Sequence, residues 1–140
     1  MKPTKIKQSE KGKQNLVDSQ HGTTRVQELQ LELIELVNQN KCKGKKVAAL
    51  LRENRSLWRA ALMPCRRLDP LLDMENGEWS ADTLYVLPAD GQEEELEKLA
   101  KRFNGDEMKW LDGKESLSLL GFWNKDIVKN AKLILWVWWD

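Results

Sequence analysis

The chain is poor in the residues that most often carry chemistry. It has one histidine, two cysteines, four prolines and one tyrosine in 140 residues. The histidine, His21, stands beside Gly22 at the end of a stretch with almost no apolar side chains. A general base has to be held within hydrogen-bond reach of its target, so Ser-His-Asp or Cys-His catalysis has no support. Cys42 and Cys65 make neither a disulfide framework nor a metal signature. The helix expected between them sets them about 30 Å apart at 1.5 Å per residue, too far for a bridge, and reduced thiols suit a cytosolic protein. Asp90-Gly91 and Asp112-Gly113 are single glycines at turns rather than a Gly-rich phosphate loop. The longest apolar run is seven residues, Leu133 to Trp139, whereas a membrane span needs roughly 20. No apolar run follows the basic start, so no secretory signal is expected.

Charge is plentiful and polarised. The net charge of +1 conceals two opposed halves. Residues 1–67 carry 15 Lys and Arg against 6 Asp and Glu, a balance of +9; residues 68–140 carry 8 against 16, a balance of −8. Such asymmetry points either to pairing between the halves or to separate partner surfaces.

Residues 1–22 bury too little to offset their ordering entropy and are expected to form a flexible basic tail. One α/β domain, 23–140, follows. Thr24 and Gln27 have capping-box spacing, and Val26, Leu29, Leu33, Leu36 and Val37 form a helical apolar stripe. A second helix is expected from Lys45 to Met63, stopped by Pro64, which makes 23–67 a helical hairpin. Over 80–140 the pattern reads β-α-β-α-β. The strands are 83–87, 108–111 and 131–139; the helices open at Asp90 and Asp112 and close at Asn104-Gly105 and Gly121. Strands joined by helices are expected to be parallel. The spacing therefore predicts a small three-stranded parallel sheet in order 2-1-3, with its two helices on opposite faces. Of the seven tryptophans, Trp58, Trp110, Trp136 and Trp138 fall on apolar stripes and are assigned to the core, while Trp79, Trp123 and Trp139 lie near loops or the chain end.

Asp90, Asp112 and Asp140 each follow a strand and could gather at one end of a parallel sheet to hold Mg²⁺. Helix capping explains the first two more simply, so no metal, cofactor or small-molecule substrate is assigned and no enzyme is expected. The second helix offers more. Lys45, Arg52 and Arg59 are spaced by seven with Arg55 beside them, a stripe away from the apolar face, and Arg66 and Arg67 extend it. Glu93, Glu94, Glu95 and Glu97 supply the opposite charge on a later helix. The leading expectation is a non-catalytic cytosolic binding protein with a charged protein partner, of inhibitor or immunity type. A basic partner would meet the glutamates and an acidic one the arginines. The alternative is nucleic-acid association through the arginines and the tail.

Overall fold

In the computed structural model, residues 23–39, 41–67, 70–121 and 132–140 are described. The expected tail, with His21, and Trp123 lie outside them. Among the described residues no helix is long and apolar enough to cross a membrane.

Helix α1 (Arg25–Leu36) starts where the sequence places it, with the Thr24 hydroxyl accepting from the Gln27 amide at 3.1 Å. Helix α2 (Gly44–Glu53) packs closely on α1. Gly44 makes the approach possible: a Cβ at this position would stand 1.9 Å from the Ile34 carbonyl oxygen and 2.5 Å from that of Val37. The Gly44 amide meanwhile donates to Val37 O at 2.9 Å.

The expected second helix stops ten residues early. After Glu53 the chain makes a 3₁₀ turn (Arg55–Leu57) and becomes strand β1 (Trp58–Leu62). Ala60, Ala61 and Leu62 favour helix locally, but tertiary pairing wins. Strand β2 (Thr83–Pro88) carries apolar residues on both faces and needs a partner on each edge. β1 supplies one of them, antiparallel, with Ala61 opposite Val86 and Leu62 opposite Tyr85. The fold-back also lets the buried Trp58 indole donate to Leu51 O at the end of α2, 2.8 Å away.

The parallel sheet is likewise corrected. The described strands form one four-stranded antiparallel sheet in the order β1-β2-β4-β3, with β3 at Glu107–Trp110 and β4 at Leu135–Trp138. Among the three expected strands the order is thus 1-3-2, not 2-1-3. Strands β2 and β3 do run in the same direction, joined by helix α4 (Glu93–Lys101). The crossover skips one position, and β4 enters it antiparallel to both neighbours, giving a split β-α-β unit. Tyr85 and Lys109 both face Trp136 across the ladders. The spacing missed this because a helix between two strands does not by itself fix the end of the sheet at which the next strand enters. Helix α5 (Gly113–Leu120) follows β3, capped by Asp112, which accepts from Glu115 N at 2.8 Å, and ends at Gly121 with φ +83°. Helix α4 lacks the expected Asp90 cap; its N-cap is Gln92.

Leu84, Val86, Leu135 and Val137 point to one face of the sheet, where they share a core with Leu31, Ile34, Val47, Leu51, Leu96 and Phe103. Tyr85 and Trp136 point to the other face and line a groove with Leu119 of α5, so α4 and α5 do fall on opposite faces. Of the tryptophans, Trp58 and Trp139 are fully buried; Trp79, Trp110, Trp136 and Trp138 are half-buried. Trp139, expected at a loose end, is a core residue whose Nε1 donates to Phe103 O. A short helix α3 (Leu71–Glu75) lies between β1 and β2.

The outer edge of β1 is closed by side chains. Gln27 donates to Ala61 O at 2.8 Å and accepts from Ala61 N at 2.9 Å, imitating a strand neighbour. Gln30 accepts from Met63 N at 2.8 Å. Gln27 therefore does not return the capping-box bond to Thr24; it is spent on the sheet.

The contact at Gly44 is testable. Gly44→Ala should lower stability by about 1–3 kcal/mol, the range for forcing extra volume into a packed site, read as a lower urea midpoint with an unchanged slope.

Candidate functional site

Once α2 ends at Glu53, a spacing of seven no longer keeps Lys45, Arg52 and Arg59 on one helix face. Lys45 is exposed in the first turn of α2, Arg52 lies in its last turn, Arg55 in the 3₁₀ turn and Arg59 on β1. Each arginine has work inside the fold. Arg52 is clasped by two glutamates of α1: Nη2 stands 3.0 Å from Glu28 Oε1, and Nη1 bonds Glu35. The Glu35 bond foremost, with Glu28 behind it, raises the Arg52 pKa. Arg55 lies 4.0 Å over the Trp58 ring and donates to the Trp58 carbonyl; burial lowers its pKa. Arg59 sits at a bulge in β1, and its Nε donates to Pro88 O at 3.0 Å.

The glutamates are spread along α4. Glu93 is half-buried and Glu94 exposed; Glu95 pairs with Lys98 at 3.2 Å. Glu97 accepts from Trp110 Nε1 at 2.7 Å and has Lys132 at 3.9 Å. The basic and acidic halves of the chain do meet, through Lys41–Asp106, Arg66–Asp82 and Arg67–Asp73. Arg66 and Arg67, which extend the basic series, take part in these pairs, whereas none of Glu93, Glu94, Glu95 and Glu97 does.

Asp90, Asp112 and Asp140 do not gather. β4 runs against β2 and β3, so Asp140 leaves the opposite end of the sheet from Asp90 and Asp112. The described residues hold no group of three His, Cys, Asp or Glu suited to a metal ion. Cys42 and Cys65 are both free, although the long helix expected to separate them ends at Glu53. Burial pushes the Cys42 thiol up to about 12, which leaves it protonated and unreactive near neutrality.

The surface feature that stands out is on α1. At 100° per residue, Val26, Leu29, Leu33 and Leu36 fall within about 80° of arc. The sequence reads these four together with Val37 as one apolar stripe; the structure buries Val37 and turns the other four outward. Val26 is 78% exposed, Leu36 55% and Leu29 42%, with Leu33 half-buried. The core takes Leu31 and Ile34 instead, on the arc that also carries Gln27 and Gln30. Intervals of three, four and three residues are those of a coiled-coil seam. The missed signal was the pair of glutamines: amides at 27 and 30, beside Leu31 and Ile34, mark the face that meets a strand edge. At its C-terminal end the seam opens into a groove of about 430 Å³, lined by Leu36, Val37, Asn38, Lys43 and Lys45.

No family model matches the chain, and neither the curated proteins nor the solved structures include a match.

Two outcomes follow from these contacts. Arg52→Glu should destabilise the α1–α2 pair by about 1 kcal/mol or more, since it breaks two partly exposed ion pairs and sets like charges together, and charge reversal at Glu28 and Glu35 should restore part of the loss in a double-mutant cycle. Asp106 gives a pH signature. Its carboxylate accepts from the Asp140 amide at 2.6 Å and pairs with Lys41 at 3.4 Å, and these contacts, the Asp140 bond first, hold its pKa below the usual carboxylate value. A depressed folded-state pKa gives stability that is present above the ordinary carboxylate range and lost as pH falls through the folded value. Asp106→Asn should therefore lower the urea midpoint at pH 7, and the gap to the parent should close in acid.

Proposed function

We propose that the protein is a non-catalytic protein-binding domain that acts by laying the α1 seam against a helix of its partner. One observation carries this reading: three large apolar residues at heptad spacing stand exposed on a helix whose rotation is fixed by bonds to the sheet. A seam of this kind is how helices recognise helices. An inhibitor or immunity-type role in the cytosol fits, because a rigid seam can occlude a partner without chemistry of its own. The nucleic-acid alternative draws on the tail, which lies outside the described residues, and on Arg52, Arg55 and Arg59, whose guanidinium groups are engaged within the fold.

The test is affinity capture with the full chain and two variants. Val26→Glu with Leu36→Glu alters the seam; Leu71→Glu alters an equally exposed leucine on α3. Both should fold, since substitutions at exposed positions usually shift stability by less than about 0.5 kcal/mol. A stoichiometric protein should be retained by the parent and by Leu71→Glu and lost with the seam variant. Binding to generic DNA or RNA that falls steeply with salt and survives the seam change would select the nucleic-acid reading instead.

A further inference from the structure

We infer that the seam takes an amphipathic helix of a different protein, with acidic residues in the turn that reaches Lys43 and Lys45. The inference rests on the protein-binding reading and adds the chemistry of the partner. Leu36 belongs both to the seam and to the groove beyond it, so a helix lying along α1 is delivered into that groove. Lys43 and Lys45 line the groove and are exposed. The carboxylate nearest in the lining, Glu35, is bound by Arg52, and Lys41 is turned to Asp106. The far end of the seam is therefore positive, and an apolar helix with carboxylates in its last contact turn is the complement.

A second copy of this chain is a poor occupant. An antiparallel copy that matches Val26 to Leu36 and Leu29 to Leu33 sets Glu32 opposite its own equivalent and brings Arg25 toward the lysines. A parallel copy sets the lysine loops side by side. Either arrangement opposes like charges at the flank, which acts against self-pairing. Size points the same way. Twelve residues make a helix about 18 Å long, and two such seams alone fall short of the roughly 1,200 Å² buried in a stable interface. A longer foreign helix that continues into the groove gains the difference.

The experiment uses the full chain and two labelled synthetic helical peptides with leucines at heptad spacing. They differ only in one terminal turn, which carries two glutamates in one peptide and two lysines in the other. Fluorescence anisotropy at low salt should show the glutamate peptide binding about three- to tenfold tighter, as expected for two exposed ion pairs. Lys43→Glu with Lys45→Glu should reverse the preference, and Val26→Glu with Leu36→Glu should abolish binding of both peptides. Equal binding of the two peptides overturns the inference and leaves the seam reading standing. Binding of neither overturns the seam reading itself. A dimer in sedimentation that Leu36→Glu dissociates assigns the seam to a second copy and also overturns the inference.

Discussion

Two glutamine side chains set the rotation of α1, and most of what distinguishes this surface depends on that rotation. Gln27 bonds both backbone groups of Ala61, and Gln30 takes the Met63 amide. A free strand edge is a row of unpaired donors and acceptors and a hazard for association; here a helix closes it with amide groups that copy the strand's own pattern. The closure holds the arc of Gln27, Leu31 and Ile34 against the body of the protein. Glu28 and Glu35 are then carried round to Arg52 on α2, and the leucine seam is left facing outward. Burying the seam instead would mean turning the glutamines to solvent and leaving the buried part of the β1 edge without partners, at about 1–3 kcal/mol for each unsatisfied group.

The same demand for paired backbone explains why the chain leaves helix after Glu53. A helix through Met63 would satisfy its own hydrogen bonds and suit the alanines, yet it would strip β2 of one neighbour. β2 and β4 are the two strands with side chains at least half-buried on both faces, and both end inside the sheet. The edges fall to β1, covered by glutamines, and to β3, which is four residues long and carries the exposed Glu107 and Lys109. Short, charged or covered edges are how sheets avoid growing. The strand order β1-β2-β4-β3 puts the most apolar strands where both edges are paired.

This division marks what was legible in the residues alone. The strands at Thr83 and Met108, the Thr24 and Asp112 caps and the stop at Gly121 follow from local chemistry and stand where the sequence puts them; the last strand lies within the expected 131–139 but starts only at Leu135. Direction and order of strands do not follow from local chemistry, because they depend on the end of the sheet at which each strand enters and the edge it pairs with. Trp58 to Leu62 has a helical apolar period and helix-favouring alanines, so its strand identity exists only through β2. For the candidate surface, the heptad intervals of Val26, Leu29, Leu33 and Leu36 were visible, but a helix with two apolar arcs does not say which one is buried. Arg52, Arg55 and Arg59 were legible as a basic series and not as tied groups, since Glu28, Trp58 and Pro88 reach them only through the fold.

The two kinds of cation have separate tasks, and the chemistry of the groups accounts for it. A guanidinium is planar, weakly hydrated and able to donate in several directions. Arg52 bridges two carboxylates, Arg55 combines a ring face with a carbonyl, and Arg59 reaches a carbonyl at the end of β2. An ammonium is a strongly hydrated point charge that loses more on desolvation, and Lys43, Lys45 and Lys46 stay at the surface beside the groove. The positive charge that holds this fold together is thus mostly arginine, while the positive charge displayed beyond the end of the seam is lysine. On the proposed protein-binding reading, a partner that meets the seam would encounter cations with their solvation intact, whose contribution would be to bias orientation and sign more than to add affinity. Apolar contact from α1 and charge selection from the lysine loop are therefore separable in this surface, because different residues on different elements supply them.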